Sequence, residues 1–398
     1  VAVAKKPTKP VTRKPKPPRE VELKPMEAPV GLRWTPPIGL DAVIGQERAV
    51  SALRAAVASG RVHHAWVFHG PVGVGKFTTA LAFAAMILDP TTGPGLSGQI
   101  GPDPDSPTQR LLRAGTHPDL HIVAKELAAV SREMRVRDSK QRNIAKEVLI
   151  EFLIEPAERT QVSGESAMAS KVFIVDEAEL MDDGGQNTML KTLEEPAPGS
   201  VIILVTSKHE RILPTVRSRC QPVAFGPLSE PEMARWLKAA KVDVSPLSPA
   251  ARQWLMAFAD GSPGVAKAAL ETGMVGWFEA LAPQLAELDA GRFPLDLGAT
   301  IAKLIDEWAE EAVKRSGSET ASKDAANKAA GRWMIRLLSV HFRSRLRHAA
   351  GKAGEAAEHA AAAVDLVHEA ERQFEAGVQG VFVFDDLASR LVSGVYQA

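Results

Sequence analysis

The sequence predicts an α/β fold: an open parallel sheet with helices on its faces, followed by an all-helical C-terminal region. Three observations carry this. Val172–Val175 and Val201–Val205 are continuous apolar runs rich in β-branched residues, as strands buried on both faces of a parallel sheet require. Short apolar runs alternate with helical periodicity from Trp34 to about Phe225. Beyond Pro227 the pattern is helical throughout.

Taken in order, residues 1–30 carry many Pro, Lys and Arg and almost no large apolar residue before Leu23. Such a segment cannot offset its ordering entropy by burial, so it predicts a disordered tail. A solvated tail and a weak polyanion-binding arm both fit. Residues 31–226 predict the sheet-containing core. Gln46–Ala58 reads as a helix, Ala65–His69 as a short strand, and Phe77–Leu88 as a helix. Residues 89–109, rich in Pro, Gly, Asp and Ser, read as an irregular loop. Leu120–Val123 predicts a strand and Asn143–Leu153 a helix. Residues 227–273 predict a small helical lid built from Glu230–Ala240, Pro249–Asp260 and Gly264–Thr272. Residues 274–398 predict about five further helices. The alanine-rich stretch 356–363 sits among interleaved Leu, Val, Ile, Phe and Trp, which argues for packed helices.

Lysine plus arginine equals aspartate plus glutamate at 48 each, so no global basic excess announces a nucleic-acid partner. One cysteine, Cys220, rules out an intrachain disulfide and a cysteine-rich zinc site. No apolar run approaches the ~20 residues that span a bilayer, and the start has no signal-peptide core. These features predict a cytoplasmic protein without a membrane partner. The missing initiator Met suggests a processed or trimmed chain.

Gly70-x-x-x-x-Gly75-Lys76 follows a strand and precedes a helix, the context of a phosphate-binding loop. Gly70, Gly73 and Gly75 let backbone N–H groups turn toward phosphate oxygens, and Lys76 supplies a cation. The next residue should carry a hydroxyl for Mg²⁺, but it is Phe77. Thr78 and Thr79 follow, rotated away by ~100° and ~200° along the helix. Asp176 and Glu177 end an apolar strand, where one carboxylate would serve Mg²⁺ through water and the other the attacking water. The damaged loop leaves open whether ATP or Mg²⁺ binds at all, and whether the acidic pair still acts.

Four stretches together resemble the AAA+ clamp-loader subunits of bacterial DNA polymerase III: Val43–Arg48, Arg61–Trp66, Asn187–Pro196, and Leu213–Gln221 with its Ser218-Arg219-Cys220 corner. The resemblance covers roughly residues 40–270 by motif, and it implies a AAA+ P-loop core, a lid and a helical C-terminal collar that joins a ring. Departures from the catalytic gamma/tau pattern select the delta-prime type. Phe77 replaces the hydroxyl residue, and Gly264 or Val265 stands where a lid arginine is expected. The four cysteines usual before the Gly-x-His-Pro-Asp stretch are also absent, so no zinc is expected.

The resemblance implies roles as well. Arg219 would act in trans on a neighbouring subunit's nucleotide, with Arg217 as the local competitor. Thr206 would sense nucleotide or simply pair with backbone. Cys220 would pack rather than react. Arg135, Arg137, Lys140 and Arg142 would face DNA, or form a solvated charged face that Glu133 and Asp138 dilute. The implied partners are the gamma/tau and delta subunits, the sliding clamp and primer-template DNA. The implied function is support of clamp loading during replication. An active gamma/tau-like ATPase and a non-replicative AAA+ scaffold are the alternatives.

Overall fold

The computed structural model describes residues 36–95, 100–138, 143–158, 167–290, 292, 294, 296–316, 323–349 and 355–395. The tail expected over 1–30 lies outside them, as do Lys140 and Arg142.

Five parallel strands form the central sheet: β1 (Ala65–His69), β2 (Leu120–Val123), β3 (Lys171–Val175), β4 (Ser200–Thr206) and β5 (Gln221–Ala224), in the order β2-β3-β4-β1-β5. Alternation sorts their side chains into two cores. Phe68, Ile174 and Ile203 face α1 (Glu47–Ala58) and α2 (Lys76–Ile87); Val67, Phe173 and Leu204 face the side of α3 (Asp183–Glu194). The phosphate loop leaves β1 and the acidic pair leaves β3, with β4 between them. All three strands therefore deliver their carboxyl ends to one edge of the sheet, where ligands of open α/β sheets bind.

Three sequence expectations need correction. β5 was not expected: Gln221-Pro-Val-Ala is short, and its Pro222 is tolerated because the strand is at the sheet edge, paired only with β1. Asn143–Leu153 is not one α-helix. Ile144 bridges to Met181, an α-turn runs over Lys146–Leu149, and Ile150–Ile154 widens into a π-turn. Pro156 has no N–H to give to the carbonyl four residues back, which accounts for the wider register there. The loop expected over 89–109 contains a two-residue antiparallel pairing of Gly93–Pro94 with Ile100–Gly101, and a helix begins inside it at Pro107.

That region is organised by a carboxylate. Asp89 is 1% exposed. One of its oxygens accepts from the Thr91 N–H (2.9 Å) and hydroxyl (2.6 Å); the other accepts from the Ser106 hydroxyl (2.5 Å) and the Gln109 amide (2.9 Å). Burial alone would raise its pKa, but these bonds hold it below the ordinary carboxylate value.

The lid helices α4 (Glu230–Ala239), α5 (Pro249–Ala259) and α6 (Pro263–Glu271) lie within one residue of expectation. The C-terminal helices are α7 (Met274–Asp289), α8 (Leu297–Ser316), α9 (Lys323–Ala349), α10 (Glu355–Glu375) and α11 (Gly380–Val395). Lid and C-terminal helices share one apolar core running from Leu228 to Leu391. Arg336 of α9 reinforces the junction. Its guanidinium donates to the carbonyls of Phe258 (3.0 Å) and Ala259 (3.3 Å) at the end of α5, and lies 5.5 Å from the Phe258 ring centre. A cation there complements the carboxyl end of the helix dipole.

Asp89→Ala should lower the unfolding free energy by about 2–4 kcal/mol, because charged hydrogen bonds are lost and their donors are left buried. The native pKa is depressed, so this contribution is present above the ordinary carboxylate range and is lost as pH falls. Urea unfolding at pH 7 and pH 3 checks both statements; equal stability of variant and parent at pH 7 would refute them.

Candidate nucleotide site

The loop from Gly70 to Lys76 depends on glycine at Gly70, Gly73 and Gly75, all with positive φ. Gly70 has φ 144°, and a Cβ there would stand 2.2 Å from the Phe225 carbonyl oxygen. Gly75, at φ 100°, is the N-cap of α2. Lys76 is 6% exposed and folds back over the loop, its Nζ donating to the carbonyls of Gly70 (2.7 Å) and Pro71 (2.5 Å). Burial lowers its pKa to about 8, against the pull of Glu179 and Asp176.

The lid closes directly on this loop. The Gly264 N–H donates to the Gly73 carbonyl (2.8 Å), and the Ser262 hydroxyl to the Val72 carbonyl (2.7 Å). A Cβ on Gly264 would stand 2.8 Å from the Gly73 Cα, and Val265 is buried in the lid core. Backbone contact thus occupies the place where a lid arginine was looked for. Gln46 completes the enclosure: its amide donates to Val74 and Gly226 carbonyls and accepts from the Gly226 N–H. Between loop, strand ends and lid lies a cavity of about 690 Å³, within the range of small-ligand sites. Gly73, Gly75, Lys76, Thr78, Asp176, Glu177 and Thr206 all line it. So do Trp236 of the lid and Trp333 of α9.

The acidic side of the site departs from a magnesium-binding arrangement in more ways than the sequence suggested. Phe77 packs against the core between sheet and α2 while also lining the cavity. Thr79 donates its hydroxyl to Gly75 O (2.8 Å) and is fully buried. Burial raises Asp176 to about 6, helped by the negative charge of Glu177. Glu177 takes a left-handed conformation (φ 49°), and its carboxylate is ion-paired with Lys125. The carboxylate that should orient water is therefore held by a lysine. Thr206 is buried, its hydroxyl accepting from the Lys208 N–H at 3.1 Å. Glu179 accepts from the Ser207 N–H (3.2 Å) and hydroxyl, while its Oε2 is buried without a hydrogen-bond partner. His69 and His209 stack with ring centres 4.4 Å apart; burial, then His209 and Lys76, lowers the His69 pKa.

These donors do not fit magnesium. The hydroxyl position is an apolar ring, one carboxylate is destabilised as an anion, and the other already has a cation. The glycines and Lys76 do fit a phosphate anion, which the loop backbone and the lysine would hold.

Arg219 lies elsewhere. It follows the single turn Pro214–Arg217 and precedes β5. Its guanidinium donates to Thr215 O (2.7 Å) and Ser218 Oγ (3.4 Å), and is ion-paired with Glu194. Glu194 and Arg219 border a recess of about 350 Å³ with His63 and His64, none of which lines the nucleotide cavity. Arg217 acts instead on His209, whose pKa is lowered by burial and then by this arginine. Cys220 is buried, and burial pushes its thiol up to about 12, so it packs rather than reacts. Arg135 and Arg137 are both exposed on the turn Met134–Arg137, and Arg137 also donates to Ser131 O (3.0 Å). Lys125, Glu194 and Trp333 were missed by sequence reasoning. Their partners lie 52 and 25 residues away for the two charges, and nothing local signals them.

Loop, acidic pair and strand order are those of a P-loop nucleotide-binding α/β module. Residues 45–229 match the family described as DNA polymerase III, delta subunit. The DNA polymerase III subunit delta' of Pseudomonas aeruginosa is 33% identical over 201 residues, 50% of this chain and 53% of that protein. The delta' subunit of Bacillus subtilis is 28% identical over 183 residues, 46% of this chain and 48% of that protein. The gamma subunit of Buchnera aphidicola is 28% identical over 206 residues, 52% of this chain and 50% of that protein. The matched stretch is thus similar to DNA polymerase III subunits, delta' and gamma among them. The chain spans about half the length of these curated relatives. A solved gamma subunit-related protein of Thermotoga maritima aligns with 86% of this chain and 99% of its own at 14% identity; its TM-score of 0.41 is too low to carry an argument. No described helix is long and apolar enough to cross a membrane.

The fold raises Asp176 from 3.8 to about 6, so ionising it costs stability above that range. Asp176→Asn should therefore raise the unfolding free energy at pH 7 by up to about 3 kcal/mol and leave it unchanged near pH 3.5. Denaturant titrations at the two pH values decide this. A variant less stable than the parent at pH 7 would show that the carboxylate is held favourably.

Proposed function

We propose that the chain works as a delta-prime-type clamp-loader subunit. It would support loading of a sliding clamp onto primed DNA while donating Arg219 to a neighbouring gamma/tau-type ATPase. The observation that carries the reading is the separation of the two sites. Arg219 borders a recess that shares no residue with the chain's own cavity. That cavity has lost its hydroxyl at Phe77, and Glu177 is engaged by Lys125. An arginine kept apart from a disabled site has no nucleotide of its own to serve.

In this reading the cavity holds phosphate without hydrolysing it, and a neighbour supplies the metal, the water and the intact acid. The guanidinium would bind the charge that grows on the transferring phosphoryl group; such trans arginines are worth ~10³–10⁵ in rate elsewhere. The C-terminal helices would join the ring with gamma/tau and delta subunits. Arg135 and Arg137 would meet the phosphates of primer-template DNA without reading sequence.

Two measurements test this. The isolated chain should hydrolyse ATP negligibly; robust turnover abolished by Lys76→Ala would favour an active gamma/tau-like subunit instead. Within the reconstituted loader, Arg219→Ala should preserve assembly yet lower ATPase and clamp-loading rates at least tenfold. Arg219→Lys should rescue poorly, because a point ammonium lacks the planar fork, and Arg217→Ala should cost less. Activity within about twofold of the parent, below ~0.5 kcal/mol, would make Arg219 structural.

A further inference from the structure

We infer that Glu194 is the counter-ion that parks Arg219 in the free chain, and that it sets how readily the arginine passes to an incoming polyphosphate. The inference rests on the donor role proposed for Arg219.

Both terminal nitrogens of the guanidinium are engaged within its own chain. One terminal nitrogen donates to the Thr215 carbonyl at 2.7 Å and to the Ser218 hydroxyl at 3.4 Å; the other is paired with the Glu194 carboxylate. The pair bridges two elements, the last residue of α3 and the corner before β5. The end of α3 is itself fixed, because the His64 imidazole bonds the Leu193 carbonyl at 3.0 Å. Burial lowers the His64 pKa, with His63 adding to the effect, so this ring is neutral at pH 7 and donates from Nε2. Glu194 thus sits at a defined position rather than on a loose loop.

Neither partner is sealed away. The Arg219 side chain is 34% exposed and that of Glu194 is 51% exposed, at the rim of an open recess. An ion pair so exposed is weakly held, so a polyphosphate can displace it. A phosphate approaching Arg219 must replace the carboxylate as acceptor, and the carboxylate also repels it. The Thr215 carbonyl carries no net charge and can keep its bond while the other guanidinium edge turns outward. Glu194 is in this sense a positioning residue. It holds the arginine when no neighbour is present, and it raises the phosphate concentration needed to release it.

The test uses the reconstituted loader with Glu194→Gln, which keeps shape and an acceptor oxygen but removes the charge. The half-saturating ATP concentration should fall about two- to fivefold with kcat unchanged. Added to Arg219→Ala, the same change should do nothing further. A fall in kcat resembling that of Arg219→Ala would mean that Glu194 aims the arginine productively, and would overturn the parking role. Unchanged half-saturation beside a damaging Arg219→Ala would overturn it too, leaving the donor role standing. If Arg219→Ala is itself without effect, both readings fall.

Discussion

Two backbones touch at Gly73 and Gly264, and most of the site's character follows from that contact. The lid approaches the phosphate loop so closely that no side chain fits between them. The N–H of one glycine is spent on the carbonyl of the other. With the lid in this position the cavity is bounded, Trp236 and Trp333 are brought to its wall, and a cation from position 264 is excluded. Lys76 remains the cation inside the loop, and burial has already weakened its hold on its proton.

The charged groups around the two sites share one arrangement. Two of these charges have an internal partner of opposite sign on another segment: Glu177 has Lys125, and Arg219 has Glu194. Neither pair is buried enough to be a strong source of stability. Their effect is on availability. Glu177 is paired inside the chain's own cavity, while Arg219 stands at the rim of a separate recess where an outside anion can compete for it. The two pairs thus belong to separate sites, one at the chain's own cavity and one outside it.

Much of this was legible beforehand, for identifiable reasons. Strands buried on both faces announce themselves as unbroken apolar runs, and Ala65–His69 and Leu120–Val123 fall at the expected residues. Capped helices were also clear: Ser229, Ser248 and Ser262 each cap a lid helix close to its expected start. The edge strand was hidden, because a Pro-containing tetrapeptide with one buried side chain has no period. The π-turn was hidden because its cause, Pro156, lies beyond the residues it distorts. In the site, Gly70, Lys76, Asp176 and Thr206 were readable from strand and loop context. Lys125 and Glu194 were not, since a charge on a surface turn looks the same whether or not a distant partner waits for it. The room denied to position 264 depends on a contact between segments 191 residues apart (264 − 73), which no local pattern encodes.

The apolar core that runs unbroken from lid to C-terminus has a mechanical consequence. Among the described residues the lid and C-terminal helices are one packed body, and the chain enters it near Gly226, where the Gln46 amide bonds the crossing backbone on both its carbonyl and N–H sides. A rotation of the lid away from the phosphate loop would carry the C-terminal helices with it through the shared core and the Arg336 contacts. A force on the helical region would therefore be felt at the glycine contact on the phosphate loop.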